Sequence, residues 1–485
     1  MPRPARMADE QPGDLIDLPP SVAVADAVAP APDPHDEDNR LTRDFVRRVR
    51  DSLDAGETGR VYTLVEPLHP ADIADLFELL DEDERGPLAT AISDLMGGEV
   101  IAELNDHVRE LLVESLGPEA VADIAEQLDT DDAVAMIEDL DADDQQAVLA
   151  EMEPEDRAAI ETALAYPEES AGRLMSREFV AVPEHMSVGN LIDYLRENPE
   201  LTTEFWEVFI VDPGHRPLGT CQLSWVLRTP RHIALADVMK RDQTLIPVTM
   251  DQEEVALRFQ KYALISAAVV DGGGRLVGQI TVDDVVHIIQ EEAGEDALLL
   301  SGAGDGDINE PIALTIRTRL IWLVVNLGTA IVAASVVGLF QGAIARFALL
   351  AVLMPIVSGM GGNAGTQTLA VVVRALATNQ LTSSNTVRMI GRELRIAIAN
   401  GLSLGLLIGS GVALVFDNPL LGAVIGTAMI INNLMAGMAG ILVPLALDKM
   451  RIDPAVSSAV FVTMATDVMG FFSFLGLAVV SGLAG

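Results

Sequence analysis

The sequence predicts a multidomain membrane protein: an α-helical solenoid N-domain, a tandem α/β segment, a linking helix and an all-α five-helix transmembrane domain. Three observations carry that prediction. Charge is confined to one part of the chain, since residues from 301 onward hold 9 Lys and Arg against 8 Asp and Glu while the whole carries a net charge of −42. The spacing of apolar residues changes along the chain, from helical periodicity to short β-branched runs and then to five continuous apolar runs. An acidic motif also recurs at a fixed interval, as LDTDD at Leu128, LDADD at Leu140 and MEPED at Met152, every 12 residues.

Residues 1–41 are rich in Pro, Ala and Asp, with no long apolar run behind MPRPAR, and are expected to form a disordered tail. Residues 42–166 form the acidic N-domain. Each repeat there is a short apolar helix stopped by an acidic turn, whose Asp or Glu caps the next helix and favours its positive end. Helices of two to three turns do not stand alone, so they are expected to stack as a small solenoid. From 167 to 282 two copies of one pattern follow, LMSREFVAVPEHMSVGNLIDYL…VFIVDPGHRPLGTCQLSWVL and VMKRDQTLIPVTMDQEEVALRFQKY…AAVVDGGGRLVGQITVDDVV. Met175 pairs with Met239 and Pro183 with Pro247 at a spacing of 64. This repeated β-α-β-β-α unit resembles a tandem of CBS (cystathionine-β-synthase-type) domains, a module that usually regulates something else.

Residues 283–316 are expected to be a linking helix and connector, and residues 317–485 the transmembrane domain. Its apolar runs are Leu320 to Leu339, Phe347 to Arg374, Ile396 to Phe416, Leu420 to Leu447 and Ala455 to Leu483, each long enough for a span of about 20 residues. Arg317 and Arg319 precede the first run, Arg374, Arg388, Arg392 and Arg395 lie between the second and third, and Lys449 and Arg451 lie between the fourth and fifth. By the positive-inside rule the acidic domains are then cytoplasmic and the C-terminus lies outside.

The acidity argues against nucleic acid, which is bound by clustered Lys and Arg, and favours cations as partners. The single cysteine, Cys221, excludes an intrachain disulfide. The chain has no P-loop, GxSxG, HExxH or paired CxxC, so nothing in it points to an enzyme.

Asp467, in VFVTMATDVMGFF, is the acidic residue deep within an apolar run. A carboxylate near mid-bilayer costs at least about 2.5 to 3.5 kcal/mol, which points to an ion path. Thr463 lies one helical turn earlier on the same face, and Asn432 and Asn433 are also polar for mid-span; for the asparagines, helix-to-helix hydrogen bonding and pore lining both fit. In MPIVSGMGGNAGTQTLAVVVRA, from Met354 to Ala375, the glycines suit close helix packing. Pro355 with those glycines also suits a loosened helix, and the polar side chains favour this second reading, with Asn363, Thr366 and Gln367 beside the path of Asp467. At the junction with the membrane, TVDDVVHIIQEEAGEDALLL reads as a helix carrying Asp283, Asp284, Glu291, Glu292, Glu295 and Asp296, where stacked like charges repel. A hydrated acidic face and neutralisation by divalent cations both fit; His287 on the same helix could ligand a metal, but a lone His is more often a solvated or packed side chain.

The order of parts, with YPEESAGRLM, LHPADIADLFELL, PIVSGMGGNAGTQTLAVVVRALA and TMATDVMGFF, resembles the MgtE family of magnesium channels from about residue 42 to the end. The resemblance implies a homodimeric Mg2+-selective channel of the plasma membrane, mediating magnesium uptake and closed by cytosolic Mg2+. It implies that Asp467 lines the pore, and that Asp284, Glu292, Glu295 and Asp296, with Glu291 beside them, hold regulatory Mg2+ on a plug helix. His287 and Ala263 stand where relatives often have acids, and Ala459 and Val460 where they have a small residue and Pro. Transport of another ion under CBS control is the alternative. A nucleotide sensor is a further one, because Thr281 and Asp284 in GQITVDD resemble the hydroxyl and carboxylate that contact a ribose, making ATP a second cofactor candidate.

Overall fold

The computed structural model describes residues 33–138, 140–198, 201, 205–301, 312–381, 384–456 and 458–483. The chain divides into two compact units, Met1–Ile92 and Ser93–Gly485, so the break falls inside the expected N-domain of residues 42–166.

The first unit holds the helices Arg43–Asp54, Thr58–Val65, Pro70–Leu79 and Glu82–Ala91. Phe45, Val49, Val61, Leu76, Phe77 and Leu88 face its core. The motif LDEDE starts its fourth helix with a reciprocal cap between Asp81 and Glu84. The expected tail of residues 1–41 ends earlier than the composition suggests. Asp36 Oδ1 accepts the amides of Asp38 at 2.9 Å and Arg40 at 3.0 Å, so residues 36–40 form a hydrogen-bonded, exposed turn that leads into buried Leu41. Residues 1–32 lie outside the described residues.

The second unit opens with six α-helices, from Gly98–Ala102 to Pro154–Leu164. The acidic repeats stand just before these helices: Asp141 Oδ1 accepts the amides of Asp143 and Asp144 at 3.1 Å, whereas Glu153, before Pro154–Leu164, makes no side-chain cap and the expected capping is absent there. Six strands follow: β1 (Ala181–Pro183), β2 (Glu207–Val211), β3 (Pro217–Gln222), β4 (Leu245–Pro247), β5 (Ser266–Val270) and β6 (Leu276–Thr281). They form two sheets of identical topology, each a parallel pair followed by an antiparallel hairpin. The hairpin turns share one backbone hydrogen-bond pattern. Asp212 Oδ1 accepts the amides of Gly214 and Arg216 at 2.7 and 2.9 Å, and Asp271 Oδ1 those of Gly273 and Arg275 at 2.8 and 2.9 Å. Phe209, Val211, Ala268 and Leu276 form the apolar seam joining the two copies.

The linking helix runs Val282–Ser301, and among the described residues five helices long and apolar enough to span a membrane follow: Ile312–Leu339, Leu349–Ala377, Thr386–Val415, Pro419–Lys449 and Ser458–Val480. Leu350, Val357, Ile425, Met429 and Phe474 form the bundle core. The third and fourth spans touch backbone to backbone: a Cβ on Gly405 would sit 2.6 Å from the Gly426 carbonyl, and one on Gly409 2.8 Å from that of Gly422. The second span is one continuous helix with Pro355 inside it, contrary to the loosened helix expected from Pro355 and the glycines. The glycines serve close packing instead. A Cβ on Gly365 would meet Val462 Cγ1 at 2.5 Å, and one on Gly440 would meet the Gly365 carbonyl at 2.7 Å.

Candidate ion site in the membrane bundle

Asp467 sits midway along the fifth span and is half-buried in a single chain. Ser358 of the second span donates its hydroxyl to Asp467 Oδ1, so the carboxylate is held by a partner from a facing helix. Among the described residues no Lys or Arg pairs with it. Such a carboxylate keeps lone pairs for an ion that arrives.

Around this pair the polar residues separate into three groups. Thr463 is half-buried one turn before Asp467 and offers a carbonyl that accepts the Thr466 hydroxyl at 2.9 Å. Asn363 is exposed and Thr366 half-buried in a single chain, with the Thr366 hydroxyl bonded to the Gly362 and Asn363 carbonyls at 3.2 and 3.1 Å. Gln367 is turned instead toward a side cavity shared with Glu393 and Asn433.

Asn432 belongs to the third group, the packing. It is 0% exposed, and its Nδ2 donates to the Val357 carbonyl at 2.8 Å. Gly361 and Gly470 make room for it: a Cβ on Gly470 would fall 2.8 Å from that nitrogen, and one on Gly361 nearer still. The helix-to-helix hydrogen bond weighed for Asn432 is thus formed, two residues beyond Pro355. Asn433 Nδ2 bonds within its own helix, to the Met429 carbonyl at 2.9 Å.

A second cluster lies outside the membrane segments, where helix Thr130–Glu138 meets the start of the linking helix. Burial and then the neighbouring Asp284 charge push the Asp131 carboxyl well above its usual range. Burial, Asp284 and Asp129 push Asp132 up to about 6, against the pull of Arg109. Asp284 is raised as well, chiefly by burial, although its Oδ2 accepts from the Thr281 amide at 3.1 Å and hydroxyl at 2.8 Å. Asp131 Oδ1 is sealed from solvent without a hydrogen-bond partner. These carboxylates repel one another where a cation would relieve them. Among the described residues no three His, Cys, Asp or Glu side chains converge closely enough to chelate a bare ion directly, so a bound cation would keep waters between itself and some of them.

The other acids of the linking helix are more dispersed. Glu292 accepts from Gln252 Nε2 at 2.7 Å, Glu291, Glu295 and His287 are exposed, and the side chain of Asp296 lies outside the described residues. At the far end of that helix Leu299 and Leu300 pack against Leu369, Val373, Ala455 and Val462, on the second and fifth spans and the turn before the fifth. The linking helix therefore joins the acidic cluster to the helices that carry Ser358 and Asp467.

A cleft of about 1400 Å³ is lined by Trp206, Glu207, Arg258, Lys261, Tyr262 and Ser266 of the CBS pair, with Thr378 and Asn379 from the turn after the second span. Thr281 and Asp284 are not among its lining residues; Thr281 donates its hydroxyl to Asp284 Oδ2 at 2.8 Å at the start of the linking helix. Ala263, at the lip of the cleft, ends helix Gln252–Tyr262 with φ 49°, a left-handed position.

Three family models match the chain: a divalent cation transporter model over residues 354–477, an MgtE intracellular N domain over 68–169, and a CBS domain over 235–291. A magnesium transporter MgtE of Enterococcus faecalis is 33% identical over 416 residues, 85% of this chain and 91% of that one. The chain belongs to the MgtE family. The MgtE of Bacillus subtilis is 27% identical, over 91% of this chain and 98% of its own. A solved structure described as the cytosolic domain of the Mg2+ channel MgtE in complex with ATP is 28% identical over 50% of this chain and 99% of that one, with a TM-score of 0.47. The MgtE transporter segment contains both Ser358 and Asp467, and the MgtE N domain contains Asp129, Asp131 and Asp132.

Two sets of residues escaped the sequence. Ser358 is readable as one of the polar side chains of the second span, but its pairing with Asp467, 109 positions away, is not, because no spacing rule links them. Asp129, Asp131 and Asp132 were visible as the LDTDD turn, but there they read as helix caps, because nothing local says that Asp284 comes to face them.

Proposed function

We propose that this chain is a Mg2+ transporter of the cell membrane, a homodimer whose ion path is lined by Asp467 and closed when cytosolic Mg2+ binds the acidic cluster around Asp131, Asp132 and Asp284. The observation that carries the reading is the Ser358 and Asp467 pair, a carboxylate inside the bundle with no cationic side chain against it among the described residues. Membership of a divalent cation transporter family supports it, as do relatives described as magnesium transporters. Mg2+ sheds water reluctantly, so the path is expected to hold a largely hydrated ion through carboxylate, hydroxyl and carbonyl oxygens. Two copies of Asp467 across a two-fold axis would double the charge facing that ion. Thr463, Asn363 and Thr366 are assigned to the same path.

Closure then follows from mass action. Cations that bind only the closed arrangement shift the gate by their differential affinity, and the linking helix carries that shift to the second and fifth spans. Glu291, Glu292, Glu295 and Asp296 extend the regulatory surface. The N-terminal domains face the cytosol and the C-terminus the outside. Mg2+ flux into proteoliposomes tests the whole: it should persist when chloride is replaced by an impermeant anion and fall as internal Mg2+ rises. Flux that follows the anion, or that ignores internal Mg2+, contradicts it. The open cleft of the CBS pair, with Trp206 and Tyr262 beside Arg258 and Lys261, favours a second role in sensing an adenine nucleotide.

A further inference from the structure

Apart from the Asp467 path, the bundle holds a cavity of about 210 Å³ between the second, third and fourth spans. Gln367 and Thr368 reach it from the second span, Arg392, Glu393 and Asn400 from the third, and Asn433 from the fourth. Gln367 lies nine residues beyond Ser358, about 14 Å along the helix, and neither Ser358 nor Asp467 lines the cavity.

Two of its groups are buried without adequate partners. Asn433 is 1% exposed, its Nδ2 is used by the Met429 carbonyl, and its Oδ1 has no hydrogen-bond partner. The Glu393 side chain is 6% exposed, and its charged neighbour is the Arg392 guanidinium, 3.7 Å away on a side chain that is 67% exposed. That separation is too long for a hydrogen bond. A buried carboxylate needs close hydrogen bonds or a cation, and a solvated arginine beyond bonding distance supplies neither in full.

We propose that this cavity is a second cation site of the membrane domain, taking a hydrated divalent cation through Glu393 and the amide oxygen of Asn433. The donors fit that class. Every neutral group available there, from Gln367, Thr368, Asn400 and Asn433, offers a hard oxygen, and Mg2+-type ions are commonly held by one or two carboxylates while keeping several waters. Six first-shell waters occupy about 180 Å³ at the liquid share of about 30 Å³ each, which the cavity accommodates. An anion is disfavoured because the buried charge is the carboxylate while the arginine points to solvent. The proposal rests on reading the bundle as a divalent-cation path, but it does not depend on Asp467.

The test is anomalous diffraction from crystals of the full-length protein soaked in Mn2+ as a probe for Mg2+. A peak between Glu393 and Asn433 is expected in the native protein and in Asp467→Asn, and its loss is expected in Glu393→Gln. The proposal is overturned if the native protein shows no peak there at a Mn2+ concentration that fills the cytoplasmic acidic sites. It is overturned equally if the peak survives in Glu393→Gln. The native map alone decides the question if the variant does not fold. Unchanged Mg2+ flux in Asp467→Asn would remove the pore assignment while leaving this site standing, so the two failures are distinguishable.

Discussion

Ser358 and Asp467, on different spans, share a hydrogen bond in which the hydroxyl fixes one oxygen of the carboxylate and leaves the other free. The bond does two things at once: it satisfies part of a buried charge and it sets the direction of the rest. Ser358→Ala should therefore leave the fold intact and reduce Mg2+ flux by roughly 10-fold, since hydrogen bonds to charged groups are worth about 1.5 to 3 kcal/mol. Flux in proteoliposomes, normalised to protein inserted, checks this; an unchanged rate would mean that Asp467 orients itself.

The contact of Asn432 with Gly361 and Gly470 predicts a compensating pair. Gly361→Ala places a methyl on the Asn432 amide and should destabilise the bundle by about 1 to 3 kcal/mol, the usual range for overpacking. Adding Asn432→Ala should recover part of that loss, because the clash disappears with the side chain. Thermal unfolding of the two single variants and the double variant in detergent measures the coupling, and strictly additive effects would contradict the packing described.

The acidic cluster gives a pH dependence of definite sign. Asp131, Asp132 and Asp284 have carboxyls raised above the ordinary aspartate value, Asp132 to about 6. A raised carboxylate contributes stability fully below its unfolded pKa and loses it as pH rises through the folded pKa. Without divalent ions, the part of the protein that holds this cluster should thus lose stability as pH rises from about 4 through about 6, where Asp132 ionises. Mg2+ should restore it at pH 7 and do little at pH 4. Melting curves across that range, with and without millimolar Mg2+, check both statements.

The same cluster predicts the behaviour of a variant. Asp284→Asn removes one of the repelling charges and one of the oxygens that a cation would use. The soluble part should become less dependent on Mg2+ for stability, and flux should persist at internal Mg2+ that silences the native protein. Protease protection of the linking helix should lose its Mg2+ dependence in parallel.

For the cleft of the CBS pair, ATP titration followed by Trp fluorescence should show a saturable change that Trp206→Leu abolishes, because Trp206 lines the cleft and is 61% exposed. No change on titration would remove the nucleotide-sensing role.

How much of this was legible depends on the range over which each feature is encoded. The five spans, the duplicated hairpins at Asp212 and Asp271 and the acidic caps are local patterns, and they were readable from period and motif. Asp467 was readable too, because a carboxylate inside an apolar run is conspicuous by itself. Pro355 misled, since a proline followed by glycines weakens an isolated helix, whereas here the neighbouring spans pack into the glycines and the helix continues. What local pattern could not supply was convergence: Ser358 with Asp467, Asn432 with Val357, and Asp131 with Asp284 are pairs brought together only by packing.

Asp467 is the residue assigned to carry the ion. Mg2+ flux through Asp467→Asn in proteoliposomes tests this assignment most directly, because the substitution keeps the shape and the hydrogen bond from Ser358 while removing the charge. Flux should fall to the level of protein-free vesicles while the protein melts at or above its native temperature. Flux equal to that of the native protein would show that the path runs elsewhere.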